Sequence, residues 1–409
     1  MGSAAAGEVG VSGWTLLIDG KAFQARGVCY APTPVGQAGD QPPYGDYFTG
    51  AYPAIHARDL PAMRRMGVNC LRIYGWNPEA NHQAFLDAAY NNGQRPIYVL
   101  LNRWINPDTD WSNENSVNLI IGEWLQLATN AMNHPAVLGY ILGNELNWRA
   151  ENRQDPAFWA AMNRIAGAIR QHDAKHVIST ALADIEAISS ISAFDTAMTN
   201  FNCWCLQTYR GNSFGTLFRQ YKAASGKPLL VTEFGMDAFD QRTGTEYESS
   251  AAVQADYVSA LWREIDGQAH IVSGGFVFAW ADEWWKAGTP LIHNAGGWAG
   301  TQFPDGWADE EWWGIHRVNP GLSGNVDSIS PREVYENLRL LWTANMSIER
   351  ALPGEVVVSA QGGRGQTAVL QKRAAANGIW TPVLTNTIPF TNSISTATPE
   401  AMLYRLELR

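Results

Sequence analysis

The sequence predicts a (β/α)8 barrel, of the TIM type, with a small C-terminal β domain. Three observations lead there. Between residues 22 and 346, short apolar runs alternate eight times with stretches of helical periodicity. The apolar runs have turn signals at both ends, as parallel strands covered by helices should. At Pro353-Gly354 the alternation stops, and the remaining chain is patterned like antiparallel strands. Repeated strand–helix units favour an α/β fold, and eight of them favour a closed barrel over an open sheet. No G-x-G-x-x-G follows the first apolar run, which weighs against a dinucleotide-binding fold.

The elements follow in order. "AFQARGVCY" (22–30) is strand-like and runs into a Pro- and Gly-rich loop at 31–53. "AIHARDLPAMRRMG" (54–67) has helical spacing and stops on Gly67. "VNCLRIYG" (68–75) and "RPIYVLL" (95–101) are strands flanking the helix "NPEANHQAFLDAAYNNG" (77–93). The helix "SVNLIIGEWLQLATNAM" (116–132) precedes the strand "AVLGYILGNE" (136–145). A helix over 155–173 begins with Pro in its first turn. Then come the strand "HVIST" (176–180), a short helix near 184–190 and the strand "FDTAMTNFN" (194–202). The helix at 215–226, the strand "PLLVTEFG" (228–235) and the helix at 249–266 make the next unit. "SGGFVFAWAD" (273–282) is the eighth strand, and after a long loop "PREVYENLRLLWTANM" (331–346) is its helix. The expected division is a leader at 1–13, the barrel at 14–346 and a β unit of four or five strands at 352–409. That unit is too short for a confident core of its own, so it is expected to pack on the barrel as a stabilising appendage. A carbohydrate-binding surface is the other reading.

Composition excludes several partners. The net charge is −10 with no Lys/Arg run, so neither a nucleic acid nor an anionic membrane is expected. No apolar stretch reaches the roughly 18 residues of a spanning helix. "MGSAAAGEVG" lacks the apolar run of a signal peptide. Its Met-Gly-Ser start also fits a leader put in place of a native signal, so secreted and cytoplasmic locations both stay open, as does the oligomeric state. Cys29, Cys70, Cys203 and Cys205 lack zinc-site spacing and read as buried free thiols, with a disulfide as the alternative. His82, His134 and His293 are isolated, so no metal and no cofactor are expected. The chain carries 18 Trp, many set among Gly, Asn, Asp and Glu, as in "WADEWW" and "DEEWWG". Flat apolar faces beside hydrogen-bonding groups suit sugar rings.

In this fold, functional side chains sit at the C-terminal ends of the strands. The rule selects Glu145 at the end of the fourth strand and Glu233 on the seventh, each an apolar run ending on a carboxylate. It also selects Arg72, Asn144, Asn202, Tyr209, Trp280, Asp282 and Glu283 as sugar-binding candidates. Two carboxylates in one pocket can break a glycosidic bond. One protonates the leaving oxygen, while the other attacks the anomeric carbon or activates water. Arg72 and Tyr209 would hold the nucleophile, and Asn144 would bind the sugar 2-hydroxyl.

These residues also carry a resemblance. "NHPAVLGYILGNE" (133–145) resembles the acid/base segment of clan A retaining β-glycosidases, and "GKPLLVTEFG" (226–235) resembles their nucleophile segment. "MRRMGVNCLRIYG" (63–75) is similar to the segment bearing their site arginine, and "GGFVFAWAD" (274–282) to the one bearing their site tryptophan. "WTLLIDGKAFQARGVCY" (14–30) resembles the β-galactosidase/β-glucuronidase group, without the sandwich domains that precede its barrel. "LRIYGWNPEANHQAFLDAAYNNG" (71–93) and "YRGNSFGTLF" (209–218) resemble β-1,3-glucanosyltransferases, without the cysteine framework of the fungal enzymes. The resemblance implies a retaining glycoside hydrolase acting by double displacement, with Glu233 as nucleophile and Glu145 as acid/base. A β-glucan or its oligosaccharides is the expected substrate. Transfer to a second sugar and non-catalytic glycan binding are the alternatives.

Overall fold

The computed structural model describes residues 8–247, 252–321, 326–343, 345–352, 355–361, 367–373, 379–388, 390–395 and 403–408. The chain divides by its internal contacts into two units. One holds the chain to Arg64 and Val68–Val334, and the other holds Arg65–Gly67 and Tyr335–Arg409.

The first unit is built on a closed barrel of eight parallel strands. They are β1 (Ala25–Cys29), β2 (Cys70–Arg72), β3 (Tyr98–Arg103), β4 (Val137–Asn144), β5 (Val177–Ala183), β6 (Trp204–Gln207), β7 (Leu229–Phe234) and β8 (Val272–Val277). Each pairs with the next, and β8 closes on β1 with Val277 opposite Val28. Helices α1 (Pro53–Met66), α2 (Gln83–Tyr90), α3 (Glu114–Ala131), α4 (Pro156–His172), α5 (Ala187–Phe194), α6 (Leu217–Ala224) and α7 (Val253–Gly267) connect them. The strands read as apolar because they are covered on both faces. Every residue of β2, β5, β6, β7 and β8 is buried. Capping is legible where it occurs. The Asp155 carboxylate accepts from the N–H groups of Ala157 and Phe158, with Pro156 opening α4.

The sixth strand departs from the sequence reading. Phe194 ends α5, the chain turns through 195–203, and β6 begins only at Trp204. "FDTAMTNFN" looks like a strand because of its Thr and Phe content, but it is the turn that brings the chain back to the start of the barrel. Further elements lie outside the strand–helix repeat, among them a short hairpin pairing Phe239–Asp240 with Thr245–Glu246. A three-stranded antiparallel sheet of Val9–Ser12, Thr15–Ile18 and Lys21–Ala22 precedes β1. Two hairpins interrupt the long segment after β8, pairing Gly297–Ala299 with Trp307–Asp309 and His316–Asn319 with Ser328–Pro331. The four cysteines are buried and free.

The helix Glu333–Trp342 runs into the second unit, whose described residues hold six strands in two antiparallel sheets. One joins Asn345–Leu352, Glu355–Gln361 and Phe390–Ser395. The other joins Thr381–Thr387, Thr367–Arg373 and Leu403–Leu408. Ala360, Ile388 and Phe390 form a small core with Leu384 packed against it. Pro353-Gly354, read as the boundary, lies outside the described residues.

Candidate active site

Glu233 lies on β7 beside Gln207 of β6, its register partner. Its carboxylate is the most heavily hydrogen-bonded group at this end of the barrel. Oε1 accepts from Arg72 Nη1 at 2.5 Å, from Tyr74 OH at 2.6 Å and from Gln207 Nε2. Oε2 accepts from Tyr209 OH at 2.6 Å. Arg72 ends β2 and is fully buried, with its guanidinium 4.5 Å from the centre of the Tyr74 ring. Its Nη2 donates to Asn144 Oδ1 at 2.5 Å, and Gln207 Nε2 donates to the same oxygen at 2.8 Å. The Asn144 carbonyl is thereby fixed. Its Nδ2 donates to no protein atom among the described residues, which leaves that group for a ligand.

Glu145 follows directly. The Gly143-Asn144-Glu145 segment leaves the strand through two residues of positive φ, +68° at Gly143 and +51° at Glu145. Glycine accepts this backbone easily, whereas a glutamate there is unusual and is held by its N–H donating to Ala181 O at 2.9 Å. In contrast to Glu233, the Glu145 carboxylate takes no hydrogen bond from a protein group among the described residues. Burial, and then the negative charge of Glu233, push it up to about 8, against the opposing pull of Arg72. One carboxylate is thus held by four donors, while the other is left to keep its proton near neutral pH.

The remaining candidates separate. Tyr209 meets the Trp313 ring edge-on at 4.8 Å and donates to Glu233, as expected of it. Trp280 is buried, packs on His316 at 4.1 Å between ring centres, and donates its backbone N–H to Cys29 O at the end of β1. Asp282 is engaged elsewhere. Both its oxygens accept from Arg332, at 2.8 and 2.7 Å, and Gly314 N–H donates to it at 3.0 Å. Burial raises Asp282 to about 6 even against Arg332. Its role is to anchor the segment after β8. Glu283 is paired with Lys286 at 2.9 Å, and that ammonium lies 4.2 Å from the centre of the Phe278 ring. Burial opposes the Lys286 charge, but Glu283, Glu310 and Glu233 outweigh it and raise its pKa.

Asn202 is not at the site. It stands before β6, and its Oδ1 accepts from Arg170 and from Ile178 N–H at the start of β5. Because β6 begins at Trp204, Asn202 belongs to the N-terminal end of the barrel, and Gln207 takes the place it was expected to fill. Gln207 and Tyr74 are the residues the sequence reading missed. Tyr74 is two residues past Arg72 and Gln207 two before Tyr209, so each pair shares one face of an extended chain. The Trp pattern also divides. Trp76, Trp111 and Trp313 are buried, whereas Trp104, Trp148 and Trp298 are exposed. Among the described residues no group of three or more His, Cys, Asp or Glu side chains could hold a metal ion. No helix among them is long and apolar enough to cross a membrane.

A (β/α)8 barrel with glutamates at the ends of β4 and β7, ringed by Arg, Tyr, Asn and Gln, has the site layout of the clan A glycosidases. Within that class the chain belongs to the glucanosyltransferase family, glycoside hydrolase family 72, whose sequence profile matches residues 11–303. Similar proteins include the 1,3-beta-glucanosyltransferase GAS4 of Saccharomyces cerevisiae, 26% identical over 53% of this chain and 49% of that protein. The 1,3-beta-glucanosyltransferase gas5 of Schizosaccharomyces pombe is 25% identical over 64% of this chain and 51% of that one. The chain therefore spans about half the length of the curated relatives it matches. Among solved structures, the β-glucuronidase of Ruminococcus gnavus shares the fold with a TM-score of 0.56 at 15% identity, over 81% of this chain and 52% of that one. The GH2 β-galacturonidase of Eisenbergiella tayi, with galacturonate bound, gives 0.55 at 15% identity over 81% and 53%.

Proposed function

We propose that the chain is a retaining enzyme of β-1,3-glucan that breaks a β-glycosidic bond and passes the released glycosyl unit to a second glucan. The observation that carries this reading is the asymmetry of the two glutamates. Glu233, held by Arg72, Tyr74, Gln207 and Tyr209, has its carboxylate aimed and fixed for attack on the anomeric carbon. Glu145, raised to about 8, holds the proton that the leaving oxygen needs. As the C–O bond breaks, Glu233 forms a glycosyl ester and Glu145 gives up its proton. Glu145, now a carboxylate, removes a proton from the incoming hydroxyl, which attacks the anomeric carbon; the bond from that carbon to Glu233 breaks and frees the Glu233 carboxylate. Asn144 Nδ2 would donate to the sugar 2-hydroxyl, where contacts strengthen in the transition state; the fixing of its carbonyl by Arg72 and Gln207 supports that role.

The family and the names of the relatives support a glucan acceptor. Water as acceptor gives the second reading, a hydrolase using the same residues. The presence of both carboxylates speaks against a purely glycan-binding barrel. A polymeric glucan does not cross membranes, so export to where the polymer lies is part of the proposal. Incubation with a single laminari-oligosaccharide tests it. Products longer than the donor are expected; shorter products alone would make the enzyme a hydrolase, and an unchanged donor would remove the reading altogether.

A further inference from the structure

The exposed tryptophans are few and placed alike. Trp104 and Trp148 are 67% and 63% exposed, and Trp298 is 37% exposed. All three stand on segments that leave the C-terminal ends of barrel strands: Trp104 directly after β3, Trp148 after β4 and Trp298 in the hairpin after β8. An indole left in water at the mouth of a barrel has apolar area to bury against a ligand.

Each of the three connects to Glu145. Trp148 is three residues on, and its N–H donates to Glu145 O at 2.7 Å. The segment bearing Trp104 is tied to the one bearing Trp148. Arg149 pairs with Asp108 at 2.7 Å, and Asn152 Nδ2 donates to Pro107 O at 3.2 Å. Trp298 Nε1 donates to Glu310 Oε1 at 3.1 Å, and Glu310 is one of the charges acting on Glu145. The rings that meet the Glu233 side chain's surroundings, Trp313 and Phe278 against Tyr209, are buried instead.

Chemistry says what lies on the Glu145 side. The group that protonates the leaving oxygen must stand beside that oxygen, so the departing sugar, and later the acceptor, extend past Glu145 and away from Glu233. We infer that Trp104, Trp148 and Trp298 form the acceptor-binding platform, stacking on the sugar rings of the incoming β-glucan. This rests on the transfer reading above. The platform would make transfer win over hydrolysis by raising the local concentration of an oriented sugar hydroxyl over that of water.

The test uses the full chain with Trp104→Ala, Trp148→Ala and the ring-keeping Trp148→Phe. Leu119→Ala, at an exposed position on α3, serves as control. A dinitrophenyl β-laminaribioside reports the first step through its burst of phenol, and laminari-oligosaccharide acceptors report the ratio of transfer to hydrolysis. Each Trp→Ala variant is expected to lower that ratio about tenfold and to raise the acceptor KM, with a smaller loss in the burst. Trp148→Phe should recover most of the ratio, and Leu119→Ala should match the wild type. A ratio unchanged in both Trp→Ala variants, or burst and transfer falling in proportion, would overturn the platform. A wild-type enzyme that makes no product longer than its donor would overturn the transfer reading itself, and the platform with it.

Discussion

Two glutamates of identical chemistry behave differently here because their surroundings differ. Glu233 is surrounded by donors, and removing Arg72 would strand its buried charge at a cost of about 3–5 kcal/mol. Glu145 is half-buried near a like charge, and among the described residues no group donates to its carboxylate. The sign of the resulting pH effect follows. Glu145 is raised from 4.5 to about 8, so between those values the folded protein holds a proton that the unfolded chain releases. Its contribution to stability is therefore full below pH 4.5 and declines as pH rises toward about 8. Glu145→Gln keeps the shape without the titration. It should melt higher than the wild type at pH 9 and close to it at pH 4, as thermal unfolding would show. Activity should follow the same proton, with the first step of the wild type falling away above pH about 8. At this scale the sequence was informative wherever a polar residue interrupts an apolar run, as Arg72, Glu145 and Glu233 do. It marks Asp282 as a sugar-binding candidate but does not reveal its pairing with Arg332, which lies 50 positions away.

Strands were legible in proportion to their length and surroundings. β4, with eight residues, was placed within a residue at each end, whereas β6, with four, was missed. "WCLQ" gives little signal alone, and the β-branched and aromatic residues just before it gave a false one. Propensity marks a residue that fits a pleated surface, not one that is in the sheet. The error then carried into function, since it put Asn202 at the wrong end of the barrel and hid Gln207. The pairing of β4 with β5 shows a constraint that pattern does not reveal. Gly139 faces Val177, and a Cβ on Gly139 would come 2.2 Å from Val177 O, an atom of the backbone. Relief needs a shift of the strand that carries Asn144 and Glu145. Gly139→Ala should therefore destabilise the fold by about 1–3 kcal/mol, read as a lower melting temperature. It should also reduce turnover through misplacement of Glu145, although no atom of residue 139 belongs to the site.

The eightfold repeat carried the whole-molecule architecture, because each strand–helix unit announces itself locally and closure follows from their number. What the repeat does not encode is the content of the long segment after β8, where hairpins, ion pairs and Trp298 are set by contacts between residues distant in sequence. Closure places β4 and β7 with two strands between them, and in the proposed mechanism Glu145 and Glu233 address one substrate from different sides. Double displacement then requires the carboxyl groups to stand about 5–5.5 Å apart and the product to keep its anomeric configuration. Azide separates the two roles. Glu145→Ala lacks the proton donor, but an aryl glycoside with an acidic phenol needs little help to leave, so the glycosyl ester on Glu233 should still form. Its breakdown by water would be slow, since the same residue activates the incoming hydroxyl. Azide needs no general base, so it should restore turnover and give a β-glycosyl azide, identified by proton NMR. Glu233→Ala cannot form the ester. Azide can enter there only from the face that the nucleophile vacated, and the product should be the α-azide. A β-azide from Glu233→Ala, with none from Glu145→Ala, would reverse the two assignments.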